Sequence, residues 1–194
     1  MQRFIQPFRP FLGFFIFTLC VLHSLALAGT PLRIGGRLPV ISLLAQKDAS
    51  EKNYLGISGE GYFKISQIKA TVIIIEIFSL YCPQCQASAP EVNALHQMIQ
   101  EVPDLKTKIK MIGIGAGNTV LEANTFKAQY KVPFPLFPDP DFKIHKDLGE
   151  VRTPYFIVIK IKKDRTIEAV HLQEGAFGEA ETFLQQILKA SGLK

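Results

Sequence analysis

Two cysteines, Cys82 and Cys85, lie where a predicted strand ends and a predicted helix begins. The strand is indicated by the apolar run at residues 71–78, which has the composition of a buried strand. The free N–H groups and the dipole at a helix N-terminus favour the thiolate of Cys82 and make it a nucleophile. A helical start also brings Cys85 close enough to form a disulfide without backbone movement. The spacing therefore predicts reversible thiol–disulfide exchange.

Two other uses of this cysteine pair fit less well. A structural zinc site needs four ligands, but the remaining cysteine is Cys20, and no histidine has zinc-ligand spacing among His23, His96, His145 and His171. A purely structural disulfide closes almost no loop at this spacing, so it constrains the unfolded chain little. Redox activity is therefore favoured over both structural roles.

The N-terminus has the pattern of a secretory signal peptide. Arg3 and Arg9 precede an apolar stretch at residues 11–22, and Ala-Leu-Ala at residues 26–28 is a small-x-small cleavage pattern. We therefore predict that residues 1–28 are a signal peptide. The protein is then exported to the periplasm or another extracytoplasmic space.

The alternative for this segment is an uncleaved membrane anchor. Residues 11–28 come near the roughly 18-residue minimum for a membrane-spanning helix. Cleavage would remove Cys20 and leave only Cys82 and Cys85. An exported chain with no other cysteine to cross-link uses this pair for redox chemistry rather than for stability.

The region after the signal peptide has the size of one domain. Residues 29–194 comprise 166 residues, which suit a single hydrophobic core. The formal charge falls from +5 to +3 when Arg3 and Arg9 are removed. Such a small positive excess indicates a solvated surface and argues against nucleic acid as a partner.

Strands and helices alternate along this region. Turn residues around short apolar pieces at residues 30–70 predict an N-terminal β-hairpin with a polar insertion at 46–53. Hydrophobic periodicity and turn residues then predict a helix at 83–101, a strand at 108–114, a helix at 121–130, an extended segment at 133–138, a short helix at 141–148 capped by Asp139 or Asp141, strands at 156–161 and 167–172, and a helix near 180–188. This order predicts an α/β fold.

Other candidate motifs have simpler interpretations. The glycine-rich stretch at residues 113–118 lacks the final glycine of a dinucleotide-binding loop, so a turn is the better interpretation. His96 and His145 are expected at the surface or boundary of the domain and not as ligands. No metal site is predicted.

The order of motifs resembles that of thioredoxin-fold proteins. The resemblance depends on Tyr81-Cys82-Pro83-Gln84-Cys85, on Pro90 in the following helix, and on Thr153-Pro154 before a later strand. The N-terminal hairpin and the extra helix and strand between residues 115 and 140 resemble the exported TlpA/ResA-like branch, which is close to the AhpC/TSA redoxins. The resemblance covers residues 34–188. It implies a thioredoxin-like fold with a central mixed β-sheet flanked by helices, an N-terminal β-hairpin and an inserted helix–strand element.

The resemblance also implies roles for the matching residues. Cys82 is the expected attacking thiol, Cys85 the resolving thiol, and Pro154 falls on the family's cis-proline position beside the disulfide. Substrate contacts are expected from Tyr81, Pro83, Gln84 and Thr153. The expected cofactor is the redox-active Cys82–Cys85 disulfide itself. The implied partners are exported proteins with thiols or disulfides and a membrane thiol–disulfide electron carrier.

Glu76 is the only charged residue in the predicted strand and precedes Cys82 by six positions. Thioredoxins have a buried acid at the matching place. A buried, unpaired carboxyl has a raised pKa and can accept the proton of Cys85 as that thiol attacks a mixed disulfide. The alternative is an acid at the strand end that reaches solvent.

Two positions depart from the family pattern. Tyr81 stands where a tryptophan is common, so the apolar platform beside the disulfide is smaller and has a hydroxyl group. Ser88 stands three positions after Cys85, where haem-maturation members often have an acid. This second departure argues against a role in cytochrome maturation.

The sequence favours an exported thiol–disulfide oxidoreductase that exchanges electrons with protein cysteines. One alternative is a thiol peroxidase of the peroxiredoxin type. Those enzymes place a lone cysteine after Thr-x-x, whereas this chain has Tyr81-Cys82 with Cys85. Another alternative is a non-catalytic redoxin-fold binding module that keeps the cysteines as a bridge.

Overall fold

The computed structural model describes residues 1–2 and 32–193. Apart from its first two residues, the predicted signal peptide lies outside the described residues, as does Cys20. In the described part of the chain, no helix has the length and apolar character to cross a membrane. The elements in chain order are β1 (Ser42–Leu44), α1 (Ala49–Leu55), β2 (Tyr62–Lys64), a 3-10 turn (Ile65–Gln67), β3 (Val72–Phe78), α2 (Pro83–Glu101), α3 (Pro103–Lys108), β4 (Ile109–Ala116), α4 (Val120–Gln129), β5 (Leu136–Asp139), α5 (Lys143–Asp147), β6 (Tyr155–Ile161), β7 (Ile167–Glu174) and α6 (Ala180–Ser191).

Five strands form a mixed sheet in the order β5-β4-β3-β6-β7. The central strand β3 is parallel to β4 and antiparallel to β6. β5 is parallel to β4, and β7 is antiparallel to β6. Every residue of β3 is buried, because this apolar strand is covered on both faces. The predicted mixed sheet with flanking helices is confirmed.

The side chains of β3 alternate between two hydrophobic cores. The core on the side of the N-terminal hairpin includes Ile73, Ile75 and Ile77. The core that α2 and α6 cover includes Val72, Ile74 and Phe78. Successive side chains of a strand point to opposite faces of the sheet. The even-numbered Glu76 therefore lies on the face covered by α2.

The predicted N-terminal hairpin is present as a separate two-stranded antiparallel sheet, in which Leu43 pairs with Phe63. Both side chains are buried, and the Phe63 ring lies 5.8 Å from the ring of Phe137 in β5. The connection between the strands, which includes the predicted polar insertion at 46–53, contains the helix α1 at Ala49–Leu55. The carboxylate of Asp48 caps this helix, α1, by accepting from the Ser50 N–H at 2.7 Å.

The inserted helix–strand element consists of α4 and β5, close to the predicted positions. α4 begins with a capping box in which Thr119 and Glu122 each accept from the other's backbone N–H, at 3.3 Å and 2.7 Å. β5 adds a strand to the edge of the sheet beside β4. The sequence does not predict α3, which has Pro103 at its first position, so β4 begins at Ile109 and not at residue 108.

The short helix α5 spans Lys143–Asp147, which is shorter than the predicted 141–148. Its N-cap position is occupied by Phe142, with left-handed backbone angles, so neither predicted aspartate stands at the cap. Asp139 nevertheless fixes the helix start. Its carboxylate accepts from the N–H groups of Ile144 at 3.1 Å and His145 at 2.8 Å.

The prediction that His96 lies at the surface or boundary is wrong, because the residue is only 8% exposed. Tyr54 of α1 and Phe134, which precedes β5, lie against it, and the His96 ring centroid is 5.8 Å from each of theirs. Burial lowers the pKa of His96 to about 4, and nearby lysines add to the effect. The imidazole is therefore neutral near pH 7.

Candidate active site

Cys82 and Cys85 lie at the N-terminus of α2, just beyond the end of the central strand. Cys82 is the N-cap residue, and Pro83 takes the first helical position, where its missing N–H costs no hydrogen bond. The backbone N–H of Cys85 donates to Cys82 Sγ at 3.2 Å. Cys82 is half-buried, Cys85 is fully buried, and neither forms a disulfide in this structure. One thiol is thus accessible and the other lies behind it.

The two thiols have different electrostatic surroundings. Burial raises the pKa of the Cys85 thiol far above its ordinary value, and the hydrogen bond with Cys82 adds to this shift. The charge of Glu76 acts in the same direction. Cys85 therefore stays protonated until a base accepts its proton. This arrangement is compatible with Cys82 as the attacking thiol and Cys85 as the resolving thiol.

The loop before β6 meets the cysteines from the other side. The Thr153–Pro154 peptide bond is cis, as the resemblance implied for this position. The Cys82 thiol donates to the Thr153 carbonyl at 3.3 Å, although the two residues are 71 positions apart. The Gly175 N–H donates to the Pro154 carbonyl at 2.9 Å and so ties this loop to the end of β7.

Glu76 is buried, with 2% of its surface exposed, so the alternative of a strand-end acid that reaches solvent is wrong. Burial raises the pKa of Glu76 to about 8. The residue lies on the α2 face of β3, and its charge raises the pKa of Cys85. A carboxyl that is mostly protonated at pH 7 and interacts electrostatically with Cys85 can exchange a proton with that thiol.

The predicted substrate-binding residues differ in their exposure. Tyr81, Pro83 and Gln84 are exposed beside Cys82, whereas Thr153 is half-buried. The Tyr81 hydroxyl donates to the Glu122 carboxylate of α4. This hydrogen bond is the main reason why the pKa of Tyr81 is raised and the pKa of Glu122 is lowered.

A cleft of about 250 Å³ opens beside Gln84. It lies between the first turns of α2 and the loop that joins β7 to α6, and it is lined by Gln84, Ala87, Ser88, Glu91, Phe177 and Glu179 among others. A cleft of this size admits a side chain rather than a whole small-molecule ligand. In the described part of the chain, no group of three or more His, Cys, Asp or Glu side chains is placed to hold a metal ion.

Two residues of this site were missed by the sequence analysis. Asn118 accepts from the Leu80 N–H with its side-chain oxygen, and Glu122 accepts from Tyr81. A signal for Glu122 exists, because Thr119-x-x-Glu122 is a capping-box pattern that marks a helix start. Asn118 has no such signal, since its partner lies 38 residues away in the chain.

The chain belongs to the AhpC/TSA family, whose model matches residues 46–170. The match covers more than half of the chain and includes Cys82, Cys85, Glu76 and Pro154. No curated protein matches the chain.

Solved structures share the fold. The Chlorobium tepidum protein assigned as thiol:disulfide interchange protein DsbE has a TM-score of 0.62 and 22% identity, over 83% of this chain and 99% of that one. A secreted thiol-disulfide isomerase of Corynebacterium glutamicum has a TM-score of 0.56 and 19% identity, over 80% and 85% of the two chains. StoA of Bacillus subtilis has a TM-score of 0.54 and 14% identity, over 76% and 98%. The thioredoxin-like fold is thereby confirmed.

Proposed function

We propose that this protein is an exported thiol–disulfide oxidoreductase that exchanges electrons with cysteines of other proteins through Cys82 and Cys85. The observation on which this rests is the pairing of an accessible thiol at a helix N-terminus with a buried thiol, linked by a 3.2 Å contact between Cys85 N–H and Cys82 Sγ. Solved structures with the same fold include a protein assigned as a thiol:disulfide interchange protein and a secreted thiol-disulfide isomerase, which supports the proposal.

The reaction begins with attack of the Cys82 thiolate on a sulfur of the substrate disulfide. A mixed disulfide forms and one substrate thiolate leaves. Cys85 then loses its proton and attacks Cys82 Sγ, which releases the second substrate thiolate and leaves the Cys82–Cys85 disulfide. Two electrons pass to the substrate, and the same steps in reverse oxidise a substrate dithiol.

Other residues of the site have supporting roles in this proposal. Glu76 accepts the proton of Cys85 during resolution, because it lies buried on the same face of β3. Thr153 and Pro154 offer backbone to an extended substrate beside Cys82. Tyr81, Pro83 and Gln84 form the exposed contact surface around the attacking thiol. The redox pair is its own cofactor, and a membrane thiol–disulfide carrier supplies or removes its electrons.

The purified protein is expected to accelerate the reduction of insulin disulfides by dithiothreitol, measured as the turbidity of the released B chain. A thiol peroxidase would instead consume hydrogen peroxide at the expense of thiols and leave insulin reduction at the background rate. A non-catalytic binding module would do neither. The proposal is abandoned if insulin reduction does not exceed the rate without the protein.

The exported protein is expected to begin near Gly29, because the Ala-Leu-Ala sequence at residues 26–28 precedes it. Intact-mass measurement of the periplasmic or secreted fraction checks this result. The mature form then lacks Cys20, and its free thiols number two after reduction. Recovery of intact Met1 from the membrane fraction would support an anchor instead.

A further inference from the structure

The segment that joins β3 to α2 is held from a neighbouring turn. Asn118, which is completely buried, accepts from the Leu80 N–H at 2.8 Å with Oδ1 and donates to Ser79 Oγ at 3.3 Å with Nδ2. One side chain thus fixes two of the three residues that precede Cys82. Because the Cys82 N–H itself donates to the Ser79 carbonyl at 3.1 Å, this anchoring reaches the attacking cysteine.

The third residue of the segment is held from the first turn of α4. The Tyr81 hydroxyl donates to Glu122, and the same carboxylate accepts from the Thr119 N–H at 2.7 Å in the capping box of α4. Gln86 of α2 adds a further contact, since its side-chain amide donates to the Leu80 carbonyl at 2.7 Å. Residues 79–81, which precede Cys82, are therefore all fixed by side-chain contacts.

Two glycines allow the turn that contains Asn118 to lie this close to residues 79–81. A Cβ atom at Gly115 would lie 2.9 Å from Asn118 Cβ, which is closer than a Cβ atom comes to an atom to which it is not bonded. Gly117 has a φ of +66°, and a side chain there would meet the Phe142 ring at 2.2 Å. The sequence predicts a turn over residues 113–118, but residues 113–116 belong to β4, and the turn that follows this strand presents Asn118 to the redox segment.

We propose that Asn118 and Glu122 are positioning residues of the redox site, through which the inserted helix α4 sets the reactivity of Cys82. They act by holding residues 79–81, so that Cys82 Sγ stays at the Cys85 N–H and the Thr153 carbonyl. The contact from the Cys85 N–H stabilises the Cys82 thiolate, so loosening the segment weakens this stabilisation. The inference rests on the proposed redox role of Cys82.

The test for Asn118 compares Asn118→Ala with Asn93→Ala. Asn93 also uses its side-chain amide to tie α2 to a distant loop, by donating to the Tyr130 carbonyl at 2.8 Å, but it does not contact the redox segment. Each reduced full-length protein is alkylated with iodoacetamide at pH 7, and the Cys82 peptide is quantified by mass spectrometry. Asn118→Ala is expected to slow Cys82 alkylation about fivefold, the effect of losing one hydrogen bond.

The dithiol–disulfide equilibrium of the same variants with glutathione gives a second readout. Asn118→Ala is expected to shift it toward the protein disulfide by a factor no larger than about five, because only the ionised fraction of the reduced form loses thiolate stabilisation. Asn93→Ala is expected to lower the melting temperature and to leave both readouts at the wild-type value. Equal readouts for the two variants would overturn the role of Asn118. If Asn118→Ala does not fold, Ser79→Ala is measured instead. A smaller shift in the same direction supports the role of Asn118, and no shift overturns it.

Glu122 is tested through the ionisation of Tyr81, which ultraviolet absorbance follows with Tyr81→Phe as the reference. Glu122→Ala is expected to move the tyrosinate transition of Tyr81 to lower pH, since the hydrogen bond that raises the pKa of Tyr81 is lost. Asp48→Ala, which removes the cap of α1, is the matched control and leaves the transition unchanged. An unchanged transition in Glu122→Ala, or a Cys82 alkylation rate equal to that of the wild type, would remove Glu122 from the proposal. Neither alkylation nor absorbance needs a substrate, so these outcomes are independent of the insulin assay.

Discussion

A Cys82→Ser variant is expected to reduce insulin no faster than the uncatalysed reaction, whereas Cys85→Ser is expected to form a stable mixed disulfide with its substrate. Cys82 is the accessible thiol at the helix N-terminus, so its loss removes the nucleophile. Cys85 is buried behind it and acts only after the mixed disulfide has formed. Non-reducing electrophoresis detects the trapped species, and insulin turbidity measures the loss of turnover.

A variant with both cysteines replaced is the control for this experiment, because it can form no mixed disulfide at the site. Peptide mapping after brief alkylation of the reduced wild-type protein tests the order of attack directly. Label is expected on Cys82 first, since Cys85 is fully buried and its pKa is raised by that burial. Faster labelling of Cys85 would contradict the assigned order.

Replacement of Glu76 by glutamine is expected to stabilise the domain near neutral pH. Burial raises the pKa of Glu76 from 4.5 to about 8, so the folded chain holds a proton that the unfolded chain releases above pH 4.5. The stability of the wild-type protein therefore falls as the pH rises from about 4.5 to about 8. At pH 7 the destabilisation is on the order of 3 kcal/mol, and Glu76→Gln removes it. Urea denaturation at several pH values measures this difference.

The same variant is expected to resolve mixed disulfides more slowly, because glutamine cannot accept the proton of Cys85. The difference in resolution rate between the wild type and Glu76→Gln is expected to grow toward higher pH. The reason is that ionised Glu76 becomes more abundant in the wild type as the pH approaches 8. Stopped-flow kinetics with a small disulfide substrate across pH provides the measurement. Glu181→Gln, which changes an exposed carboxyl on α6, is the matched control. A rate and pH profile equal to wild type would restrict Glu76 to a structural role.

The central part of the fold was predictable because the local pattern and the tertiary environment agree there. The apolar run at 71–78 forms β3 and the periodic segment after it forms α2 with the predicted ends. The burial of Glu76 also follows from its place within a strand covered on both faces. The local pattern gave a wrong prediction where a distant element determines whether a residue is buried. His96 is buried because Tyr54 and Phe134 lie against it, and both are far away in the sequence.

The candidate site was predictable only in part for the same reason. The cysteines and Pro154 have a recognisable order along the chain. Asn118, in contrast, lies on the turn after β4 and comes close to the site only when the chain is folded. The helix α1 was missed because its residues are mostly polar and its cap, Asp48, was interpreted as part of an insertion. Short helices without an apolar stripe give little periodic signal.

The burial of Cys85 gives the domain an internal probe of its own opening. This thiol has no exposed surface and lies in the core between α2 and the central strand, where the neighbours Phe78 and Val92 are also buried. A thiol reagent can reach it only while this part of the structure is open, so its labelling rate, when reclosing is fast, measures the free energy of that opening. Cys82 in the same molecule is half-buried and reports the native state. The ratio of the two labelling rates therefore measures how rarely this part of the domain opens, and no engineered cysteine is needed.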